Sequence, residues 1–175
     1  NVITGTSGVN EKGRKIISTV IVPEGTPGWS AGRKEHKLGL RGSVTGDVIC
    51  SDVKVTTDCM IGKEGDGSKV AMHTIGHFGR SGMAAIALGV IRGCCEEGVN
   101  FAKNRITYGK PLSALPAIQL IIADNQVDYE ASQAMLYNAT SVYDSGTQCV
   151  PEVAAAKLFV SRNAIKAAER TIDLM

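Results

Sequence analysis

Gly62-Lys63-Glu64-Gly65-Asp66-Gly67 is the point at which the hydrophobic period of this sequence changes from two to about 3.6 residues, and that change decides the fold class. Upstream, residues 1 to about 60 are short β-branched runs separated by turn residues, among them Lys15-Ile-Ile-Ser-Thr-Val-Ile-Val22 and Asp47-Val-Ile-Cys-Ser-Asp-Val-Lys-Val55. The pattern predicts antiparallel strands. Pro23-Glu-Gly-Thr-Pro-Gly28 predicts a turn, because its two prolines remove backbone donors while Gly25 and Gly28 permit positive φ.

Downstream of Gly67 no proline appears until Pro111, and the spacing predicts a long helix ended by Gly109 and Pro111. Its apolar stripe reads Met83, Ile86, Ala87, Val90, Ile91, Cys94, Val99 and Ala102, with Arg92, Glu96, Glu97, Lys103 and Asn104 opposite. A second helix is predicted from Pro116 to the stop at Gly146, with Leu120, Ala123, Val127, Ala131, Ala134 and Asn138 inward and Asp124, Asp128 and Ser132 outward. Pro151 suits the first turn of a third helix, where its missing N–H has no intrahelical partner to lose. That helix carries Val153, Ala156, Val160, Ala164, Ala167, Thr171 and Leu174 on one face. Three helices with short connections predict an antiparallel bundle, completed by a fourth helix outside this sequence. The fold class is therefore α+β, and Gly62 to Gly67 reads as a flexible connector.

The composition narrows the function classes. With 19 Lys plus Arg against 17 Asp plus Glu, the chain lacks the basic excess of a nucleic-acid footprint. A hydrophobic content of 43% supports a core, and 5% aromatics with 20 glycines makes that core one of Ala, Val, Ile and Leu. The most apolar run, Met83 to Val90, is broken by Arg92, Glu96 and Glu97 well short of the roughly 18 to 20 residues of a membrane span. Five cysteines at positions 50, 59, 94, 95 and 149 have no zinc-site spacing and read as free thiols in a reducing compartment. The chain opens on Asn1-Val-Ile-Thr, with neither Met nor a basic segment, and its last helical stripe runs into Met175, so it reads as a piece of a longer protein.

Several constellations fall short of a site. His73 and His77 have the spacing of a shared metal, but position 74 is Thr and no third ligand is apparent, so they read as a pocket wall. The glycine-rich loop lacks the Gly-Lys-Ser or Gly-Lys-Thr of a phosphate loop. Cys94 and Cys95 face different sides of a helix. Gln119, Asp124, Asp128, Glu130 and Gln133 have no Glu-x-x-His partner and read as a solvated face. Two segments carry more. Asn104-Arg-Ile-Thr-Tyr-Gly-Lys-Pro111 gathers a guanidinium, a hydroxyl, an aromatic ring and an ammonium at a helix end, a set suited to a phosphate-bearing ligand. Arg80 stands in Gly79-Arg-Ser-Gly82, where small neighbours leave room against the helix.

Taken in order, Ile21-Val-Pro-Glu-Gly-Thr-Pro-Gly28, Lys37-Leu-Gly-Leu-Arg-Gly-Ser43, Asp52-Val-Lys-Val55, Ile61-Gly-Lys-Glu-Gly-Asp-Gly67, Lys69-Val-Ala-Met72, Arg80, Gly89, Arg105-Ile-Thr-Tyr-Gly-Lys-Pro111, Ala117-Ile-Gln119, Ala123-Asp124 and Ala154-Ala-Ala-Lys157 resemble the acyl-CoA dehydrogenase family across nearly the whole chain. The resemblance implies an FAD enzyme that takes a proton from Cα and a hydride from Cβ of an acyl-CoA, passing electrons to an electron-transfer flavoprotein. It implies that residues 1–62 are the C-terminal part of a middle β domain and residues 63–175 a C-terminal helical bundle, incomplete at its end. Arg105 and Thr107 resemble the pair that binds the FAD diphosphate across the interface of a homo-oligomer, a dimer or tetramer, and Tyr108, where the family usually has Phe, walls the same site. His77, Phe78, Gly79 and Arg80 resemble the stretch bordering the acyl-CoA pocket. Gly79 occupies the place where one branch of the family carries its catalytic Glu, so the general base is expected beyond Met175 and no catalytic or metal residue is assigned. Pro116 replaces a Gln that often contacts flavin, and between Met72 and Arg80 there is one residue more than the usual spacing. An acyl-CoA oxidase and a non-catalytic relative kept as a subunit or scaffold are the alternatives, and a bacterial or archaeal cytoplasm or a mitochondrial matrix is the implied location.

Overall fold

The computed structural model describes residues 1–175, which separate into two compact units, Asn1–Met72 and His73–Met175. In the first unit, β1 (Val2–Val9) and β2 (Lys15–Ile21) form an antiparallel hairpin, and β5 (Met60–Ile61) pairs with the far edge of β2. The hairpin loop is tied by Asn10 Oδ1, which accepts from the N–H groups of Lys12 and Arg14, and Gly13 takes φ +71°. A register shift between Thr6 and Gly8 bends β1. As the middle strand, β2 buries Ser18 and Thr19, whose hydroxyls meet those of Ser7 and Thr4, each at 2.8 Å. Those pairs satisfy polar groups that would otherwise be costly to bury. β3 (Trp29–Lys34) and β4 (Gly46–Cys50) make a separate antiparallel pair. The loop between them, with Lys34, Lys37 and Arg41, borders an open cavity of about 790 Å³, and Leu38 in it is almost wholly exposed.

The glycine-rich segment is not a free connector. Gly65 N–H donates to Ser18 Oγ at 3.1 Å, and a Cβ on Gly67 would lie 2.7 Å from the backbone of Ile17 and Ser18. Glycine is needed at 67 because the chain passes directly against β2, so the loop is packed rather than slack.

The second unit is a three-helix bundle. α1 (Gly67–His73), which begins in the first unit, leads through a π-helical turn at Thr74–Gly79 into α2 (Arg80–Asn104). A two-residue hairpin, β6 (Ile106–Thr107) and β7 (Lys110–Pro111), and a 3-10 turn connect it to α3 (Pro116–Asp144); α4 (Val150–Leu174) follows. Asn125 bonds Thr171 near one end of α3 while Ala139 packs with Val153 near the other, so α3 runs antiparallel to α4. Pro116 and Pro151 stand in the first turns of α3 and α4, where a missing N–H is harmless.

The buried faces of two helices differ from those predicted. α2 buries Ala84, Ile91, Gly98 and Ala102, while Met83, Ile86 and Val90 stay near half exposed. α3 buries Asn125, Ser132, Leu136 and Ala139, and turns Leu120 and Val127 outward, at 68% and 66% exposure. Its buried face is nearly opposite to the predicted one, and Ser132, read as solvated, is fully buried. Apolar residues occur around the whole circumference of α3, so periodicity alone does not choose the face. In α4 every residue of the predicted stripe is buried. Asn125 Nδ2 donates to Thr171 Oγ1 at 3.1 Å, and Arg170 Nη1 donates to Asp128 Oδ2 at 2.6 Å and to Asn125 Oδ1 at 3.3 Å. This network fixes the register of α3 against α4. No helix is long and apolar enough to cross a membrane.

Candidate functional site

The two segments singled out in the sequence lie at opposite ends of α2. At its C-terminus, Arg105 leaves helical geometry at φ −76°, ψ 118°, its N–H donating to Phe101 O and its carbonyl accepting from Leu112 N–H. The next residues turn back at once, because Tyr108 and Gly109 both take positive φ, at 54° and 75°. That is the two-residue reversal that favours close strand pairing, and it lifts Tyr108 to 90% exposure. The Arg105 guanidinium is exposed and makes no hydrogen bond or ion pair, and the half-buried Thr107 hydroxyl has no partner either. An unpaired guanidinium beside a free hydroxyl and an aromatic ring can bind an oxyanion such as a diphosphate.

At the other end, the extra residue between Met72 and Arg80 coincides with the π-helical turn. Arg80 N–H donates to Ile75 O as well as His77 O, the longer bond marking a wider turn that absorbs one residue without breaking the helical rod. The long helix predicted downstream of Gly67 is interrupted in period at that turn. Gly79 is exposed, Arg80 is half-buried, and the Arg80 side chain has no partner. His77 is half-buried, like Arg80, and Phe78 is 57% exposed. Their rings turn onto Tyr143 in the last turn of α3, with centroid distances of 5.5 and 5.6 Å, and His73 lies 4.6 Å from His77. No group of His, Cys, Asp and Glu suited to a metal occurs in the structure.

Sequence reasoning missed Tyr143 and Asp144. The signal was the spacing Leu136, Ala139, Tyr143, a buried-face stripe hidden by the choice of the opposite face of α3. The five cysteines are free, and burial, with a smaller contribution from Cys94 and the nearby carboxylates Glu96 and Asp128, pushes the Cys95 thiol above its usual range. Arg80 and Arg105, 25 positions apart on one rod, are separated by about 37 Å at the helical rise of about 1.5 Å per residue. One chain does not bring its two candidate groups together.

Comparison with known proteins gives this arrangement its context. The family profile described as the C-terminal domain of acyl-CoA dehydrogenase matches residues 65–175. An acyl-CoA dehydrogenase of Bacillus subtilis strain 168 is 40% identical over 164 residues, covering 94% of this chain and 43% of that protein. The human mitochondrial short-chain specific acyl-CoA dehydrogenase is 37% identical over 161 residues, covering 92% of this chain and 39% of its own length. The three-dimensional structure of butyryl-CoA dehydrogenase from Megasphaera elsdenii superposes with a TM-score of 0.92 at 32% identity, over 99% of this chain and 45% of the other. The chain thus spans less than half the length of the relatives it matches, yet the likeness runs through both the strands and the bundle. On the strength of that profile and of relatives aligned over nearly all its residues, this chain belongs to the acyl-CoA dehydrogenase family.

Proposed function

We propose that this chain is part of an FAD-dependent acyl-CoA dehydrogenase and serves it from both ends of α2. The observation that carries the reading is the exposed, unpaired Arg105 guanidinium beside the free Thr107 hydroxyl on a hairpin pointed outward by Tyr108-Gly109. These groups fit a diphosphate: the guanidinium and the hydroxyl would donate to its oxygens, and the Tyr108 ring would wall the site. When bound, FAD supplies the hydride acceptor for α,β-dehydrogenation of an acyl-CoA thioester. Arg80, with Gly79, Phe78 and His77, borders the acyl-CoA pocket. Because Arg105 and Arg80 of one chain are a helix length apart, Arg105 serves the cofactor of a second copy, which makes a homo-oligomer part of the reading. No residue of this chain is assigned as general base. An electron-transfer flavoprotein takes up the electrons, residues 1–62 and 63–175 belong to the middle and C-terminal domains, and the setting is a bacterial or archaeal cytoplasm or a mitochondrial matrix.

The test is an anaerobic titration of the full-length protein with acyl-CoA thioesters of different chain length, followed by the flavin absorbance. Bleaching by one chain class supports dehydrogenation. Bound flavin that no thioester bleaches, or no flavin at all, favours a non-catalytic relative, for which the proline at 116 is the first residue to replace. Oxygen consumption at a rate matching bleaching favours an oxidase. Arg105→Ala is expected to weaken FAD retention by roughly 1 to 3 kcal/mol, and full flavin occupancy after long dialysis would break the assignment.

A further inference from the structure

The hairpin that follows α2 gathers one more group onto the face of Arg105 and Thr107. In the β6–β7 register Thr107 stands directly opposite Lys110, and Ile106 stands opposite Pro111. Arg105 is extended at the helix end, two residues before Thr107, and its carbonyl accepts from Leu112 N–H. Residues opposite each other across an antiparallel pair project to the same side, and residues two apart on an extended strand share a side. Lys110 therefore shares a face with Arg105 and Thr107, while Ile106 and Pro111 take the other. Lys110 is exposed and has no hydrogen bond or ion pair. From Gly98 to Ala123 the sequence carries Lys103, Arg105 and Lys110 and no Asp or Glu, so no local carboxylate competes for these cations.

The end of α2 at which they stand is the unfavourable one for an anion. A helix C-terminus carries the negative pole of the macrodipole, equivalent to roughly half an elementary charge. A diphosphate diester brings two further negative charges, and one guanidinium leaves more than half of the total unmet. Two cations kept on one face without a counterion also repel each other, a cost that a bound anion removes. The complementary ligand carries more than one negative charge.

We propose that Lys110 is a second cationic contact of the cofactor diphosphate, reached from the same face as Arg105 and Thr107. The proposal rests on the reading of the protein as an FAD enzyme, and adds the charge that Arg105 alone does not supply. The two cations differ in what they do. The planar fork of Arg105 fixes orientation, whereas the ammonium of Lys110, on a flexible stem, acts as a point charge that can follow either phosphate. Loss of Lys110 is therefore read in affinity and in salt dependence.

The experiment uses the full-length protein stripped of flavin, titrated with FAD and with riboflavin, which lacks the phosphates, and followed by flavin fluorescence. Lys110→Gln is expected to weaken FAD binding by about tenfold or more, to make it less sensitive to salt and to leave riboflavin binding unchanged, with Lys110→Arg restoring most of the loss. Lys103→Gln removes a cation from the last turn of α2 and not from the hairpin, and should change FAD binding by less than about twofold. Unchanged FAD affinity in Lys110→Gln overturns the contact, and so does a salt dependence equal to that of the parent protein. An equal loss for riboflavin overturns it in favour of a folding defect, an equal loss in Lys103→Gln in favour of a diffuse field, and a loss that follows dissociation of the oligomer in sedimentation in favour of a subunit contact. FAD binding that depends on Lys110, in a protein whose flavin no thioester bleaches, sinks the dehydrogenase reading instead and leaves the contact standing.

Discussion

α3 and α4 pack against each other over most of their length, yet only α4 declares its buried face in the sequence. In α4 the buried positions Val153, Ala156, Val160, Ala164, Ala167 and Leu174 stand opposite Lys157, Arg162, Lys166 and Glu169, and the contrast fixes the face. In α3 Leu120 and Val127 point outward at 68% and 66% exposure, while Asn125 and Ser132 point in at 3% and 0%. A helix that is apolar all round has more than one face to cover; Asn125 marks the bundle seam because it finds partners there, whereas the buried Ser132 hydroxyl has none. Asn125 finds Thr171 and Arg170; in α4 the matching polar residue is Thr171, which donates to Ala167 O at 2.7 Å. The lesson is that charge reports exposure in α4 but polarity does not in α3.

The largest expected effect comes from testing the two faces of α3 against each other. Leu136→Ala, at 5% exposure in the core with Ile91 and Val160, should destabilise by roughly 2 to 5 kcal/mol. Leu120→Ala should stay within about 0.5 kcal/mol, as for an exposed side chain. Urea unfolding of the 175-residue chain measures both. Equal losses would break the comparison, by showing that the Leu120 face is also covered in solution.

Next in size is the seam. Arg170→Met removes the charge-assisted bonds to Asp128 and Asn125 and leaves Asp128, about one-fifth exposed, facing an apolar side chain. Hydrogen bonds to charged groups contribute about 1.5 to 3 kcal/mol, and partial exposure of both partners moves the expectation to the lower end. Coupling between Arg170→Met and Asn125→Ala in a double-mutant cycle is the measurement, and strict additivity would show that Asn125 does not belong to the network.

How much could be read before the structure follows the same line. The switch at Gly62 to Gly67, the strand at Lys15, the helix stops and the α4 stripe were legible because each rests on backbone chemistry or on a sharp apolar–charged contrast. The Arg105 hairpin was legible as a set of groups, but not as a turn, since Tyr at positive φ is uncommon and nothing local announces it. The π turn appeared in the sequence only as a surplus residue before Arg80. Where that residue would go depended on Tyr143, some seventy positions away, and local pattern carries no information across such a separation.

The smallest effect falls at one of two buried glycines, one in each unit. Gly67 passes so close to Ile17 and Ser18 that a Cβ would sit 2.7 Å from backbone atoms, which have no rotamer to escape into. Gly67→Ala should destabilise by roughly 1 to 3 kcal/mol, as overpacking does. Gly98 lies inside α2 with helical φ, and its nearest neighbour to an added methyl is Thr171 Cγ2 at 3.7 Å, an ordinary contact. There the alanine fills space that is already open and removes conformations from the unfolded chain, so Gly98→Ala should stabilise by about 0.4 to 1 kcal/mol. The sign of that change is the sharper test. A destabilised Gly98→Ala would mean that α2 and α4 approach more closely than 3.7 Å at this crossing, and that the Thr171 side chain is held too firmly by Asn125 and Ala167 to yield.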